Sequence, residues 1–470
     1  MLRVTVYGGA GEIGGNKILL DDGQARVFLD FGISYAQRKR FFEEYLKPRT
    51  AAGLTDLLVT GVLPRVPGIY RRDLLRIAPC GLPVHDDPTV DAVLLSHAHL
   101  DHAGHIAFLD ERIPVYCSPL THRTLEAMQD SRAREFESEI VNFRPRPAFP
   151  GDRGVVLRPF RPLAEPVTLG RLHVHPWPVD HSMLGCVAFL LRTARGPVLY
   201  TGDLRFHGPE AHLSQTMLAA VAREGVWMLI AEGTRLDVTD HRTEDHVFAE
   251  ALAAVREAPG PVIADFAPRD LYRLATFVRI ARETHRSLVV LPQDAFLLDR
   301  LHGSHPLVPD VRAEPLLILK ERKQSGTYSE KDYETWERRV LAWPTARTAE
   351  QLRPEAHRMI FALSFWDVQN LVDLGIGADA LYIFSASEAH DEEQARDLWR
   401  LNNWLDLLGV RRRLNTHASG HAGQADLVRM VRTLQPEVLV PVHTEKAELW
   451  QTLVPEVRVL EPTPGVPLEV

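Results

Sequence analysis

Lysine is nearly missing from this sequence: seven residues carry it, leaving 47 arginines among the 54 cationic side chains. Arginine grips phosphate through two donors at once, so the bias would suit a phosphate-binding groove, although number alone does not put those side chains in one. Positive charge is in deficit overall, with a formal net charge of -8. That excludes a generally basic surface; a nucleic-acid partner would have to be held by local arginine patches or by metal ions. Cysteine is scarce. Cys80, Cys117 and Cys186 lie far apart with no C-x-x-C spacing, and their odd number argues against a disulfide framework, so a reducing cytoplasm is the expected setting. Long hydrophobic runs are absent too: nothing approaches the roughly 18 apolar residues of a membrane span, and the opening MLRVTVYGGAGEIGG lacks the apolar core of a signal peptide. There is no internal repeat and no low-complexity tract.

What is present is a globular composition. With 470 residues and 45% hydrophobic content the chain can bury a large core, and it is expected to divide into two or more domains. The first 35 residues read as β-structure, RVTVYGG and then NKILLDDGQARVFLDFG, the latter folding back at DDGQ as a hairpin would. Between these runs Gly9-Ala10-Gly11-Glu12-Ile13-Gly14 satisfies G-x-G-x-x-G. The helix that a dinucleotide site needs does not follow it, so the motif is read as a tight loop near the active site. Residues 36–90 read as helices joined by loops, and could shape a substrate entrance. Beyond about residue 235 helix and strand alternate, the pattern of a parallel sheet, with a charged stretch at 301–355 read as surface helix. The last stretch, from about 413, is loop, helix and the strand EVLVPVH.

The strongest local signal is SHAHLDHAGH, directly after the apolar strand AVLL. His97 and His99, two apart on extended backbone, can aim at one ion, while Asp101 and His102 can reach a second beside it. Imidazole nitrogen with carboxylate oxygen suits zinc and leaves manganese or iron open. His105 continues the rhythm but falls where a helix should begin, and is read as structural. Two ions need more ligands, and later strand ends offer them: His181 in PVDHS and Asp203 in LYTGD, whose two oxygens could bridge both metals. His173 and His175 alternate on a strand and are read as polar-face residues. His443 in VPVHTE is, on local grounds, a strand-end histidine satisfied by a backbone carbonyl or a further ligand.

The order of FLDFG, SHAHLDH, PVDHS and YTGD resembles the four motifs of the metallo-β-lactamase superfamily. The resemblance implies an α/β fold, an αββα sandwich with metals at the strand ends. It implies that His97, His99, His181 and Asp203 hold one zinc, that Asp101, His102 and Asp203 hold the other, and that Asp30 in FLDFG orients the ligand loop. The long continuation after Asp203 is similar to the β-CASP branch, nucleic-acid-processing nucleases that include ribonuclease J and the endonuclease of messenger-RNA 3′-end processing. Glu232 in LIAEGT, His421 in HASGHA and His443 match that branch's extra motifs, the last as a ligand of the second metal. The domains expected are a metallo-β-lactamase domain in two parts, 1–234 and 413–470, with a β-CASP α/β domain inserted at 235–412.

The activity this implies is a two-metal ribonuclease, in which a hydroxide shared by two Zn2+ (or Mn2+) ions attacks phosphorus in single-stranded RNA. RNA-processing members tend to carry histidine at the position of His443, and DNA-processing members valine. Asp101, Glu232 and His421 form the expected catalytic group. His421 would stabilise the transition state or protonate the leaving oxygen, and Glu232 would keep its imidazole charged. Ser385, Ser387 and Ser419, with Arg269 and Arg273 at the start of a helix, are candidate RNA contacts. The Pro-Gly-Asn-Glu run that follows the serine loop of ribonuclease J-like enzymes is missing here, which counts against capture of a 5′-monophosphate and so against 5′-to-3′ exonuclease action. A DNA nuclease of the same branch, a small-molecule metallo-hydrolase and a silent scaffold are the alternatives. A homo-oligomer is left open, and no membrane association is expected.

Overall fold

The structure is a computed structural model that describes residues 2–43, 45–75, 80–132, 135–146, 154–240, 242–267, 269–386 and 392–468, without the side chains of 392 and 393. The chain forms two compact units, one made of Met1–Asp240 with Gly420–Val470 and the other of His241–Ser419. The expected boundaries at 234 and 412 thus compare with 240 and 419.

The first unit holds two seven-stranded sheets. One runs, edge to edge, Pro467–Leu468, Arg3–Gly8, Lys17–Asp21, Arg26–Leu29, Ala92–Leu94, Val115–Cys117 and Phe160–Pro162; the other runs Arg458–Val459, Val438–Pro441, Met228–Ala231, Pro197–Tyr200, Val187–Arg192, Leu172–Pro178 and Val167–Leu169. Their inner faces make one core. Ile18 and Leu20 point into it while Leu19, between them, points out to the helices; likewise Val187, Phe189 and Leu191 face in and Ala188 and Leu190 face out. Both faces being covered, these strands read as continuous apolar runs rather than as alternating ones. The outer layers are built by helices such as Pro119–Asp130, Ala211–Glu224 and Gln424–Leu434, whose Leu125, Met217 and Met430 are fully buried against the sheets. Each such side chain contributes roughly 1.5–3 kcal/mol by leaving water. The layers are α, β, β, α.

The hairpin expected at DDGQ joins Lys17–Asp21 to Arg26–Leu29, its turn held by Asp21 accepting from the Gly23 amide at 2.9 Å and by Asp22 accepting from the Gln24 and Ala25 amides at 2.8 and 2.7 Å. After Gly14 the chain enters the strand Lys17–Asp21.

The second unit is wound on a sheet in which all seven strands are parallel, in the order Ala346–Thr348, Leu316–Lys320, Ser287–Val290, Met359–Ala362, Val262–Asp265, Leu381–Phe384 and Arg412–Asn415. The stretch read as surface helix at 301–355 is more mixed. It contributes the strands Leu316–Lys320 and Ala346–Thr348 as well as the helix Thr335–Leu341, because its short apolar run LLILK finds a paired place in the sheet. The 3.6-residue period of a charged sequence does not distinguish that outcome from a helix.

Candidate metal centre

The strand Ala92–Leu94 ends three residues before His97, and the chain then turns through His99 into the one-turn helix Leu100–Ala103 that carries Asp101 and His102. Strand ends elsewhere in the same unit supply the rest: His181 follows Leu172–Pro178, Asp203 follows Pro197–Tyr200, Glu232 follows Met228–Ala231, and His443 follows Val438–Pro441. His97, His102, His181, Asp203, Glu232 and His443 are all buried.

These side chains converge in two sets. In the first, His97 Nε2 stands 2.9 Å from His99 Nδ1, His181 Nε2 is 3.2 Å from that same Nδ1, and Asp203 Oδ2 lies 3.6 Å from His97 Nε2 and 3.7 Å from His181 Nε2. In the second, Asp203 Oδ2 is 3.1 Å from His102 Nε2 and 3.6 Å from His443 Nε2, while Asp101 Oδ2 is 3.3 Å from His443 Nε2 and 3.7 Å from His102 Nε2. Four ligands held about 2.0–2.1 Å from a tetrahedral zinc stand about 3.3 Å from one another, so both sets have the spacing of a cation's donors. One carboxylate oxygen of Asp203 belongs to both. Among the described residues, His102 Nε2 and Asp203 Oδ1 are buried without a hydrogen-bond partner, as donors reserved for a cation would be. Asp203, Glu232, His421 and His443 form a further overlapping group, its donor atoms within 4.8 Å of one another.

The outward nitrogens are committed. His102 Nδ1 is 2.7 Å from Asp30 Oδ2, and a carboxylate only accepts, so Nδ1 carries a proton and Nε2 is the nitrogen turned to the site. Asp30 also accepts from the Ser96 amide and hydroxyl, both at 2.7 Å, and from Tyr200 at 2.6 Å. With its proton spent on Asp30, the Ser96 hydroxyl accepts from His97 Nδ1 at 2.9 Å. His181 Nδ1 donates to the Gly420 carbonyl at 2.6 Å, and His443 Nδ1 donates to the Thr234 hydroxyl at 2.8 Å. Asp30 and His443 both adopt left-handed backbone, φ 58° and 52°, a conformation that costs a non-glycine residue about 1–2 kcal/mol and recurs at functional sites.

Electrostatics favour the metal-binding protonation states of His97, His181 and Asp203, whereas at His102 burial is outweighed by Asp203, Asp101 and Asp30, which raise it well above the ordinary histidine range, so that a cation bound there would displace its second proton. Burial, reinforced by the neighbouring imidazoles, holds His97 and His181 well below the ordinary histidine range and therefore neutral. Burial alone would raise Asp203, but His102 and His443 outweigh it and hold the carboxylate ionised. His421 is different. Burial opposes its charge, yet Glu232 and Asp203 raise its pKa to about 9, and its Nδ1 lies 2.9 Å from Glu232 Oε2. Glu232 Oε1 accepts the Leu204 amide at 2.9 Å, which fixes the carboxylate.

Sequence reasoning missed the support. Nothing in the spacing announced Ser96, Tyr200 or Thr234, nor the buried pair Asp180–Arg205, whose Nε and Oδ1 are 3.1 Å apart while Arg205 N donates to Asp180 O at 2.7 Å. That pair ties the turn before His181 to the turn after Asp203. Two expected RNA contacts need correcting. Arg273 is fully buried, paired with Glu244 at 3.1 Å and donating to the Ser385 and Ala418 carbonyls, and Ser385 is itself buried with its hydroxyl donated to Thr416 O. A guanidinium whose donors are consumed inside the protein has none left for a phosphate. Arg269 and Ser419 are half-buried, and Ser387 lies outside the described residues. His105 is buried against Phe108, and His173 and His175 sit on the strand Leu172–Pro178, next to the sheet's edge strand, with His175 stacked on Trp177.

Residues 65–262 match the family described as the beta-lactamase superfamily domain, and residues 410–450 match the Zn-dependent metallo-hydrolase RNA specificity domain. Ribonuclease J of Pyrococcus abyssi is 24% identical over 95% of this chain and 90% of its own length. Ribonuclease J of Sinorhizobium meliloti is 24% identical over 84% of this chain, which spans 64% of that relative, and the Helicobacter pylori strain B128 protein of the same name is 21% identical, with 56% of its length covered. A crystal structure of a protein of unknown function from Enterococcus faecalis superposes over 100% of both chains with a TM-score of 0.73 at 22% identity, a likeness of fold.

Proposed function

The chain belongs to the metallo-β-lactamase superfamily, in its β-CASP branch, and from that premise we propose that it is a metal-dependent ribonuclease that hydrolyses phosphodiester bonds of single-stranded RNA. The observation that carries this is Asp203 Oδ2, one oxygen set between two donor sets at 3.1–3.7 Å from four imidazole nitrogens. His97, His99, His181 and Asp203 would hold one divalent cation, and Asp101, His102, His443 and Asp203 the other. Two zinc ions suit these nitrogen and oxygen donors, and manganese would fit as well. When bound, such a pair lowers the pKa of a water and offsets the charge growing on phosphoryl oxygens.

The chain's own part is orientation and proton supply. Asp30, Ser96, Thr234 and the Gly420 carbonyl hold the imidazoles so that their lone pairs face inward. His421, its ring 4.9 Å from that of His181, keeps a proton at neutral pH because Glu232 stabilises the charge. With Nδ1 committed to Glu232, the proton given to the leaving oxygen comes from Nε2. RNA as substrate is supported by the RNA-specificity family match over 410–450, which contains His443. A single strand is proposed because the ligand atoms are buried, and one phosphate must reach them without a second strand beside it. A cytoplasmic setting is supported by three buried, free cysteines, and no described helix is long and apolar enough to cross a membrane.

The test is to incubate zinc- or manganese-loaded protein with one labelled strand made as RNA and as DNA, beside His97→Ala. RNA cleavage that disappears in the variant is the expected result. Cleavage of DNA alone, or of neither strand by protein carrying its metal, would overturn it.

A further inference from the structure

The glycine-rich motif near the N-terminus has no part in the chemistry above, yet residues 9–16 touch two of the three ligands particular to the second cation, Asp101 and His443. An added Cβ on Gly14, which lies at φ +78°, would fall 2.6 Å from Asp101 Oδ2 and 2.7 Å from Asp101 Cβ. Asn16 N donates to the Asp101 carbonyl at 3.1 Å, and His443 N donates to the Gly9 carbonyl at 2.7 Å.

The loop has its own internal brace. Glu12 accepts the Gly9 amide at 3.0 Å through one oxygen and the Ser34 hydroxyl through the other, bending the chain back on itself. Lys17, only 1% exposed, donates from Nζ to the Gly15 carbonyl at 3.2 Å, and Glu12 is the acid that faces its charge. A buried lysine is costly without such partners, so its position is tied to the loop's shape. Gly11 makes the contrast. It too has positive φ, +66°, but an added Cβ there would meet nothing within 4 Å.

We propose that residues 9–16, braced by Glu12 and Lys17, are a positioning element for the second cation alone, so that the two cations are held by separately tunable parts of the chain. The proposal rests on the two-cation reading given above. Packing of Gly14 against Asp101 sets where that carboxylate stands, and the Gly9 carbonyl sets the left-handed turn at His443. Disturbing the loop moves donors of one set and leaves the other in place.

Zinc binding by calorimetry and metal analysis of the full chain is the test, with circular dichroism and thermal melting to establish folding. The parent protein is expected to take up two ions. Gly14→Ala should keep the first with unchanged affinity and lose at least tenfold in affinity for the second, within the range typical of disturbed ligand supports. Gly11→Ala, which carries the same backbone strain without the collision, should bind both ions like the parent. Lys17→Met, close in volume, should shift in the direction of Gly14→Ala, and Glu12→Gln carries the same expectation should Gly14→Ala not fold. Folded Gly14→Ala, Lys17→Met or Glu12→Gln protein that binds both ions like the parent, or that loses both equally, would sink the proposal. A parent that takes up only one ion would instead sink the two-cation reading beneath it.

Discussion

Asp30 Oδ2 receives His102 Nδ1 at 2.7 Å, and both side chains are completely shut off from solvent. The bond fixes which imidazole nitrogen carries the proton, and the same carboxylate reaches His97 through Ser96. Asp30→Ala removes that control while leaving every ligand in the chain. Zinc affinity should fall by about 10–100-fold, read by calorimetric titration of folded protein. Unchanged affinity would mean that the ligand loop orients itself.

Glu232→Gln keeps the shape and removes the charge beside His421. The imidazole then loses its main reason to stay protonated, and single-turnover cleavage of RNA should slow by about 10²–10⁴-fold with metal content unchanged. His421→Ala should fall in the same range. Normal rates in either variant would remove His421 from proton transfer.

Asp180 and Arg205 are both fully buried. Removing one partner strands the other, so Asp180→Ala should lower the unfolding free energy by about 3–5 kcal/mol in urea denaturation. Gly208→Ala should also destabilise, because its Cβ would come within 2.4 Å of Asp180 Oδ2 and 2.2 Å of Arg205 Nε. Stability within about 0.5 kcal/mol of the parent in both would show that the pair is dispensable.

The second unit carries a pH signature of unusual sign. Burial raises Asp265 to about 7 and Asp294 to about 7, from an ordinary value of 3.8. The folded form therefore binds more protons than the unfolded form between about pH 4 and 7, and this contribution to stability shrinks as pH rises through that window, by on the order of 1 kcal/mol per pH unit for each group. Asp265→Asn, which keeps an acceptor for the Tyr382 hydroxyl, should flatten the dependence relative to the parent. Melting temperatures from pH 4 to 8 provide the check; parallel curves would refute it.

The sequence by itself determined which residues could bind metal and roughly where the strands run. His97, His99, Asp101 and His102 crowd into six positions after an apolar strand, and no core needs such a cluster. The hairpin at Asp22 was legible for the same local reason, since its turn residues satisfy their own backbone. The stretch at 301–355 was not: its short run LLILK becomes a strand only because a parallel sheet supplies neighbours. Nor was the fate of Arg273, whose helical position allows either exposure or burial until Glu244 and Ser385 draw it inward. Tertiary structure alone decided that one oxygen of Asp203 serves both donor sets, and that a loop resembling a nucleotide motif packs on Asp101. Local spacing specifies which donors are present, but the distances between donors up to 342 positions apart are set by how two sheets pack.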